Sequence, residues 1–379
     1  MNLSVLACGA WLKNTACWWR QGQALWSPLH GDLSDPDACR ALEQSATHLI
    51  AQARRAGAPV EAVAHDLHPD FFSTHLAMTL AERLGVAAIG VQHHHAHIAA
   101  VVAEHHLEGP VVGLALDGVG LGTDGLPWGG ELLWLDGPRW SRLGHLYPLA
   151  LPGGDRAARE PWRMVASVLH ALGRADEITP RFAAQVGQVQ TEGVRRMLER
   201  GLNCPLTSSA GRWFDAAAAA LGLSPIQQQE AEAAIALEQA ASHPWQAQPD
   251  LPPLPGVIRD EVNRLDLRPL LAALFDAQDI ARAAAGFHLA FADGLAGWLI
   301  AAARQRRTRT VCLGGGCFHN RILRARLLAR LNQAGLQVYL PSATDCGDAG
   351  LAIGQAWVAA QQATATLTDN AFIEALPCA

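Results

Sequence analysis

Four histidines fall within five residues, at His93, His94, His95 and His97. Their stretch, Val91-Gln92-His93-His94-His95-Ala96-His97-Ile98-Ala99-Ala100, otherwise reads as helix. His93 and His97 are four residues apart, so a helix puts them on one face about one turn apart. At that spacing two imidazoles can grip one cation. A single histidine on a helix is more often a surface residue or a satisfied core residue, so the pair needs partners from elsewhere. Two aspartates are candidates. Asp117 closes a strand read over Val111 to Asp117, and a carboxylate at a strand end facing a cleft is a natural ligand for a divalent cation. Asp348 opens the last helix, where its ordinary role is an N-cap. A ligand role requires it to face His93 and His97 across the cleft.

Two glycine-rich stretches and one lysine suggest an anion beside such a cation. Asp117 runs into Gly118-Val119-Gly120-Leu121-Gly122-Thr123-Asp124-Gly125, read as a glycine turn. Gly118, Gly120 and Gly122 would let backbone N–H groups approach a phosphate. The stretch has no Gly-Lys-Ser/Thr, and an ordinary glycine-rich β-turn accounts for it equally well. Gly314-Gly315-Gly316 lies between a strand and a helix, with Asn320 close behind. The free N–H groups of such a helix start suit a phosphate or ribose. Lys13-Asn14, in the first hairpin, could reach phosphates, although a lone turn lysine is usually just solvated. No Ser/His/Asp order, activated cysteine or paired glycosidase-type carboxylates emerge.

The elements that must hold these residues alternate. Strands read at Leu3 to Cys8, Ala16 to Trp19 and Ala24 to Leu29. A helix capped by Ser34-Asp35-Pro36-Asp37 runs to about Ala56. Then come strand Ala62 to Leu67, helix Phe71 to Leu84, a buried strand Val86 to Val91, and the histidine helix to about Leu107. That order is one ribonuclease-H-like lobe. After Gly109-Pro110 the three-strand opening repeats at Val111 to Asp117, Trp128 to Leu135 and Trp140 to Tyr147, which suggests duplication. An Ala-rich helical region spans about Pro161 to Leu299, broken by a loop with five prolines at His243 to Gly256. The end alternates again: strand Thr310 to Leu313, helix Phe318 to Ala334, strand Leu336 to Leu340, helix Asp348 to Gln361. The expected organisation is a first lobe over 1–108 and a second lobe over 109–345 with a helical insertion at about 155–300. A closing helix and tail over 346–379 would complete the cleft.

Bulk composition fits an α/β protein. Half the 379 residues are apolar, ample for two cores, and 17% are charged, too few for a disordered chain. A net charge of −6 gives no reason to expect nucleic acid. Eight scattered cysteines without a Cys-x-x-Cys fit a reducing, cytoplasmic setting. No apolar run reaches membrane-spanning length on this reading, so no membrane is expected.

The motifs resemble a known family. Val91 to Ala100, Asp117 to Gly125 and Trp128-Gly129-Gly130-Glu131 resemble the C-terminal portion of HypF, the carbamoyltransferase of nickel–iron hydrogenase maturation. So do Lys13-Asn14-Thr15, Asp66-Leu67-His68-Pro69-Asp70, Pro152-Gly153-Gly154-Asp155 and Arg159-Glu160-Pro161-Trp162-Arg163. Thr207-Ser208-Ser209-Ala210-Gly211-Arg212 and Gly315 to Asn320 extend the match along nearly the whole chain. The resemblance implies a two-lobed actin/Hsp70-like fold of duplicated ribonuclease-H-like lobes. It also implies that ATP-derived carbamoyl-adenylate binds between the lobes beside a divalent metal. Two histidines with carboxylates favour iron for that metal, with zinc or manganese as options. By position the metal ligands are His93, His97, Asp117 and Asp348, and His94 and His95 face elsewhere. Lys13 and Asp117 take the catalytic roles. Lys13, Asn14, Gly118, Gly120, Gly122, Glu230, Gly314, Gly315, Gly316 and Asn320 surround the nucleotide.

The implied reaction carries the carbamoyl group to the C-terminal cysteine of a HypE-like partner. The upstream acylphosphatase, zinc-binding and YrdC-like domains of the family are not seen in this sequence. The resemblance is therefore to the transfer module, with carbamoyl-adenylate supplied by a separate YrdC-like protein or another substrate used instead. Alternatives are a small-molecule O-carbamoyltransferase, a non-catalytic nucleotide-binding partner of the maturation complex, and an actin-fold kinase. Some positions depart from the family pattern. Ala10 and Ala349 stand where glycine is usual, and His319 where glutamine is. Gln229-Glu230-Ala231-Glu232 stands where the family has Tyr-Glu-Gly-Gln, with Glu230 kept.

Overall fold

A computed structural model describes residues 3–248, 251–252 and 254–374. The last residues of the expected closing segment, 375–379, and part of the proline-rich loop lie outside the described residues.

The chain opens with a β-meander, β1 (Val5–Ala7), β2 (Cys17–Arg20) and β3 (Gln23–Trp26). Helix α1 (Pro36–Arg55) follows, with Asp35 as its cap, Pro36 in the first turn and Arg54 and Arg55 in the last. Those positions satisfy the free N–H groups and the dipole of the helix. Then come β4 (Ala62–Asp66), α2 (Phe72–Leu84), β5 (Ala87–Val91) and α3 (His93–Glu104). The five strands form one sheet in the order β3-β2-β1-β4-β5, with β4 and β5 parallel to β1. β5 is the edge strand and pairs only with β4, so Ala87 and Ala88 are exposed. The expectation of a buried strand there is corrected: an apolar run does not reveal whether a second neighbour pairs with it.

The second lobe repeats the plan. β6 (Val111–Leu121), β7 (Pro127–Asp136) and β8 (Arg139–Leu146) form its meander. A short pair, β9 (Leu149–Ala150) and β10 (Leu206–Thr207), brackets α4 (Arg156–Arg159), α5 (Trp162–Ala171), α6 (Ile178–Val186) and α7 (Gln188–Arg200). After α8 (Ala210–Ala220) and α9 (Glu232–Ala247) come β11 (Ile258–Arg259), β12 (Arg264–Asp266), α10 (Arg268–Leu274) and α11 (Ile280–Gln305). β13 (Thr310–Gly314), α12 (Arg321–Gln333), β14 (Gln337–Tyr339) and α13 (Leu351–Glu374) finish the described chain. The sheet order β8-β7-β6-β13-β14 repeats that of the first lobe, with β12 and β11 added at the β8 edge. The duplication read from the sequence is therefore present in the sheets.

Two expectations are corrected. The glycine stretch after Asp117 is not a turn at its start. β6 continues to Leu121, with its register to β7 shifting between Leu116 and Gly120. The bulge absorbs the extra residues and re-aims the strand after Asp117. The second concerns apolar length. α11 has 26 residues and is long and apolar enough to span a membrane, contrary to the sequence expectation. Its length instead serves the core of the second lobe, where Phe287, Leu289, Phe291 and Leu295 are fully buried.

α3 and α13 lie together between the two sheets. Ile98 and Val101 of α3, Ala352 and Ala356 of α13, Val5 and Ala7 of β1 and Ala115 of β6 share one core. Full burial of a side chain such as Ile98 contributes on the order of 1.5–3 kcal/mol. The helices approach closely at Gly354, where a Cβ would lie 1.9 Å from the Ala96 carbonyl oxygen. The Gln355 side chain then bonds both backbone groups of Gly9, and Thr15 Oγ1 donates to the Ala349 carbonyl. The first hairpin and the start of the last helix are thereby locked together, and both border the cleft.

Candidate metal and nucleotide site

α3 starts directly off β5 because Gln92 caps it, its side chain accepting from His95 N at 2.8 Å. This sends His93 and His97 down one face toward the end of β6. Across from them stand Asp117 and Asp348, the latter in a 3-10 turn ahead of α13. One ligand atom from each of the four lies within 4.8 Å of the others. His93 Nε2 is 3.2 Å from Asp117 Oδ2 and 3.4 Å from Asp348 Oδ1. His97 Nε2 is 3.3 Å and 3.6 Å from the same two atoms. Four residues from three separate elements, α3, β6 and the turn ahead of α13, thus meet at one point.

Charge limits what that point can hold. Burial alone would lower the His93 imidazole, but Asp66, with Asp348 and Asp117, holds it well above the ordinary range. His97 is raised against burial by Asp117 and Asp348. Burial would raise Asp117, but the two imidazoles hold it well below the carboxylate range, and His93 and His97 likewise lower Asp348. Asp66 is served by His93 Nδ1 and His68 N, which leaves Asp117 and Asp348, two carboxylates side by side in a largely buried site, calling for two positive charges. Two protons on the imidazoles or one divalent cation on the neutral rings provide them. The donor set therefore fits a divalent metal, and the surroundings favour it further. His93 Nδ1 lies 2.7 Å from Asp66 Oδ2, which leaves Nε2 facing Asp117 and Asp348.

His94 and His95 face away. His94 Nδ1 lies 3.0 Å from Gln92 Nε2, and His95 stacks on Trp140 with ring centroids 5.1 Å apart. Burial, then His93, drives His94 well down, and burial pushes His95 down to about 3. Burial therefore disfavours the charged form of both rings.

Two adjoining cavities open from the quartet. One, of about 400 Å³, is lined by Phe214, Ala234, Ile235, Glu238, Cys317, His319 and Asn320. The other, of about 440 Å³, is lined by Asp32, Val119, Arg159, Gln227, Gln229, Gly347 and Asp348. Lys13, Asp117, Gly118, Arg212, Glu230, Ala231 and Gly316 border both. Lys13 Nζ is 3.2 Å from Glu230 Oε1, a pair that crosses the cleft between the lobes. Gly316 N donates to Asp117 Oδ1 at 3.2 Å and fixes the carboxylate rotamer.

The remaining expected nucleotide residues lie elsewhere. Asn14 is fully buried and braces the first hairpin, its Nδ2 donating to the Cys8 and Ala10 carbonyls. Gly120 leaves room for His93, whose ring would lie 2.6 Å from an added Cβ. Gly122 does the same for Trp128, Gly314 for the His97 backbone and Gly315 for Leu116. These glycines serve close packing behind the site, and the cavities do not touch them. A composition-based reading cannot separate a glycine that admits a ligand from one that admits a neighbouring side chain.

Three residues that serve the site carried no assigned role in the sequence. Arg212 stands between the cavities, its Nε 2.6 Å from the buried Asp215 carboxylate. Asp66 orients His93. Glu104, at the far end of α3, accepts hydrogen bonds from the backbone and hydroxyls of Ser342 and Thr344 and from Ala343 N. That loop leads to Asp348, so α3 carries two residues of the quartet and anchors the segment carrying another. Asp66 and Arg212 sit inside motifs quoted for the resemblance; Glu104 left no signal.

Comparisons with known proteins give the family. Residues 1–104 match the model of the HypF Kae1-like domain, and 113–355 match that of the carbamoyltransferase Kae1-like domain, second subdomain. The chain belongs to the HypF carbamoyltransferase family. It is 57% identical over 383 residues to a carbamoyltransferase HypF homolog of Cupriavidus necator, covering 99% of this chain and 96% of that protein. It is 42% identical to the carbamoyltransferase HypF of Rhizobium leguminosarum bv. viciae, over 98% of this chain and 46% of that one. A crystal structure of full-length HypF in a phosphate- and nucleotide-bound form matches with a TM-score of 0.81 at 30% identity, over 95% of this chain and 46% of that chain. The chain thus spans nearly all of one HypF relative and about half of the longer ones, and the two-lobed actin-like fold is that of HypF.

Proposed function

We propose that this chain transfers a carbamoyl group from carbamoyl-adenylate to a thiol, the C-terminal cysteine of a HypE-like partner, in hydrogenase maturation. The observation that carries the reading is the convergence of His93, His97, Asp117 and Asp348 where the two cavities meet. The roughly 400 Å³ cavity, walled by Phe214, Ala234 and Ile235, suits a nucleoside, and the second leaves an approach for an acceptor tail. The quartet would hold a divalent metal. Two imidazoles and two carboxylates suit non-haem iron, zinc or manganese. Such an ion supplies Lewis-acid polarisation of the carbamoyl or phosphate oxygen.

The protein's own groups would do the rest. Lys13 and Arg212 face the shared cleft as the cations that offset phosphate charge as AMP departs. Asp117 stays ionised and positions the two imidazoles. The acceptor sulfur attacks the carbamoyl carbon, the bond from that carbon to the phosphate oxygen breaks, and the thiol proton passes to the departing phosphate. A YrdC-like protein or domain would supply the carbamoyl-adenylate.

The test is incubation with carbamoyl phosphate, ATP and a HypE C-terminal peptide, with and without a YrdC-like protein. A peptide gain of about 43 Da, the mass of one carbamoyl group on a thiol, is expected only with the added protein. An unchanged peptide beside a carbamoylated small hydroxyl compound would shift the assignment to O-carbamoyl transfer.

A further inference from the structure

A second group of metal-ligating side chains lies beside the first cavity. His319, Asp345 and Cys346 each present a ligand atom, and the three atoms lie within 4.8 Å of one another. His319 also lines the roughly 400 Å³ cavity. We propose that His319, Asp345 and Cys346 form a second cation site, distinct from the quartet, that takes a thiophilic divalent cation of the zinc class.

Its ligands come from two segments that the fold brings together. His319 ends the 3-10 turn Gly316–His319 after β13, and Asp345 and Cys346 sit in the loop before α13. His319 Nε2 is 3.4 Å from Asp345 Oδ1. The loop backbone is held on both sides. Gly315 N donates to the Cys346 carbonyl at 2.7 Å, and Gly347 N donates to Asp345 Oδ1 at 2.7 Å. Gly350 packs on the Asp345 carbonyl so closely that a Cβ there would lie 2.1 Å away. The two loop ligands are therefore positioned by the fold before any ion arrives.

The donor types separate the two sites. The quartet offers nitrogen and carboxylate oxygen only, a set that accepts hard and borderline ions. The triad adds a sulfur, which selects for zinc-like or softer ions and disfavours magnesium, calcium and manganese. Three protein ligands leave a tetrahedral ion one open position. His319 is 54% and Asp345 36% exposed, so that position faces solvent and the mouth of the cavity. On binding, the sulfur–hydrogen bond of Cys346 is replaced by a sulfur–metal bond and the proton goes to solvent.

Cobalt(II) serves as the spectroscopic probe, titrated into metal-stripped, reduced full-length protein. Two equivalents should bind, one of them with a sulfur-to-cobalt charge-transfer band. Cys346→Ser should abolish the band and remove one equivalent while the other remains. His319→Gln should weaken the band-producing equivalent at least tenfold. The double variant His93→Ala, His97→Ala should keep the band and lose the other equivalent. The proposal is overturned if the parent protein shows no such band, or if the band survives in Cys346→Ser. It is equally overturned if the band vanishes in a folded His93→Ala, His97→Ala protein, which would make the thiol part of the quartet's response.

Discussion

Asp66 Oδ2 lies 2.7 Å from His93 Nδ1, and both side chains are withdrawn from water. Asp66 takes no place among the four converging ligands, yet it decides which nitrogen His93 presents to them. Its own carboxylate is held by His68 N, and Thr74 Oγ1 binds its carbonyl. The orientation of one ligand thus traces back through β4 to the start of α2.

Asp66→Asn should therefore weaken metal binding while leaving one ion per quartet at saturation. A fall of about 10–100-fold is expected for loss of such an outer partner. Chelator competition measures it. An affinity equal to that of the parent protein would show that Asp66 merely fills space. His93→Ala with His97→Ala should remove the quartet's ion altogether.

Metal-free and metal-loaded protein should respond to pH in opposite directions. Without metal, His93 and His97 are raised above the ordinary histidine value of 6.5. Their protonated forms then contribute stability that is fully present below 6.5 and is lost as pH climbs through the raised values. Asp117 and Asp348 are depressed below 3.8, so their contribution is present above that value and lost as pH falls through the depressed ones. A metal requires neutral imidazoles, so its affinity should rise over the range where the metal-free protein weakens. Urea unfolding across this range, with and without metal, tests both slopes. Metal-free protein that grows steadily more stable above 6.5 would contradict the charge arrangement.

Gly354→Ala should destabilise the protein by about 1–3 kcal/mol, the usual result of overpacking a tight contact. An added Cβ would sit 1.9 Å from the Ala96 carbonyl oxygen. Because α3 and α13 carry or flank the quartet, the same change should lower metal affinity. A melting curve and a metal titration read the two effects, and an unchanged melting temperature would refute the close crossing.

Ala231 has φ 60°, in the left-handed region, at the cavity wall just ahead of α9. A Cβ there costs roughly 1–2 kcal/mol, partly offset against glycine's greater chain entropy. Ala231→Gly should stabilise the protein by about 0.5–1 kcal/mol in urea unfolding. A loss of stability would mean that the methyl packs better than the backbone suffers.

Much of this was legible in the chain. The duplicated meander showed because antiparallel strands joined by tight turns leave local signals, such as Asp136-Gly137-Pro138 between β7 and β8. The shared face of His93 and His97 showed because a helix converts a four-residue spacing into one face. The motifs from Val91 to Ala100 and from Asp117 to Gly125 carried the family. Exposure of β5 and the continuation of β6 past Gly118 did not show, since both depend on which strand lies alongside.

By itself, the sequence determined the element order outside the helical insertion, the His93–His97 pair and the family; the strands β10, β11 and β12 within that insertion were too short to show. Only the tertiary structure decided that Asp117 and Asp348 face that pair, that Asp66 orients His93 and that Glu104 ties α3 to the loop before Asp348. It also decided which glycines border a cavity and which make room for a neighbour: Gly118 and Gly316 do the first, Gly120 and Gly315 the second. Spacing along a helix or strand is local geometry. Ligands drawn from β6 and from the turn ahead of α13 meet α3 only when two sheets close on the helices between them, and that closure depends on burial and packing across the whole chain.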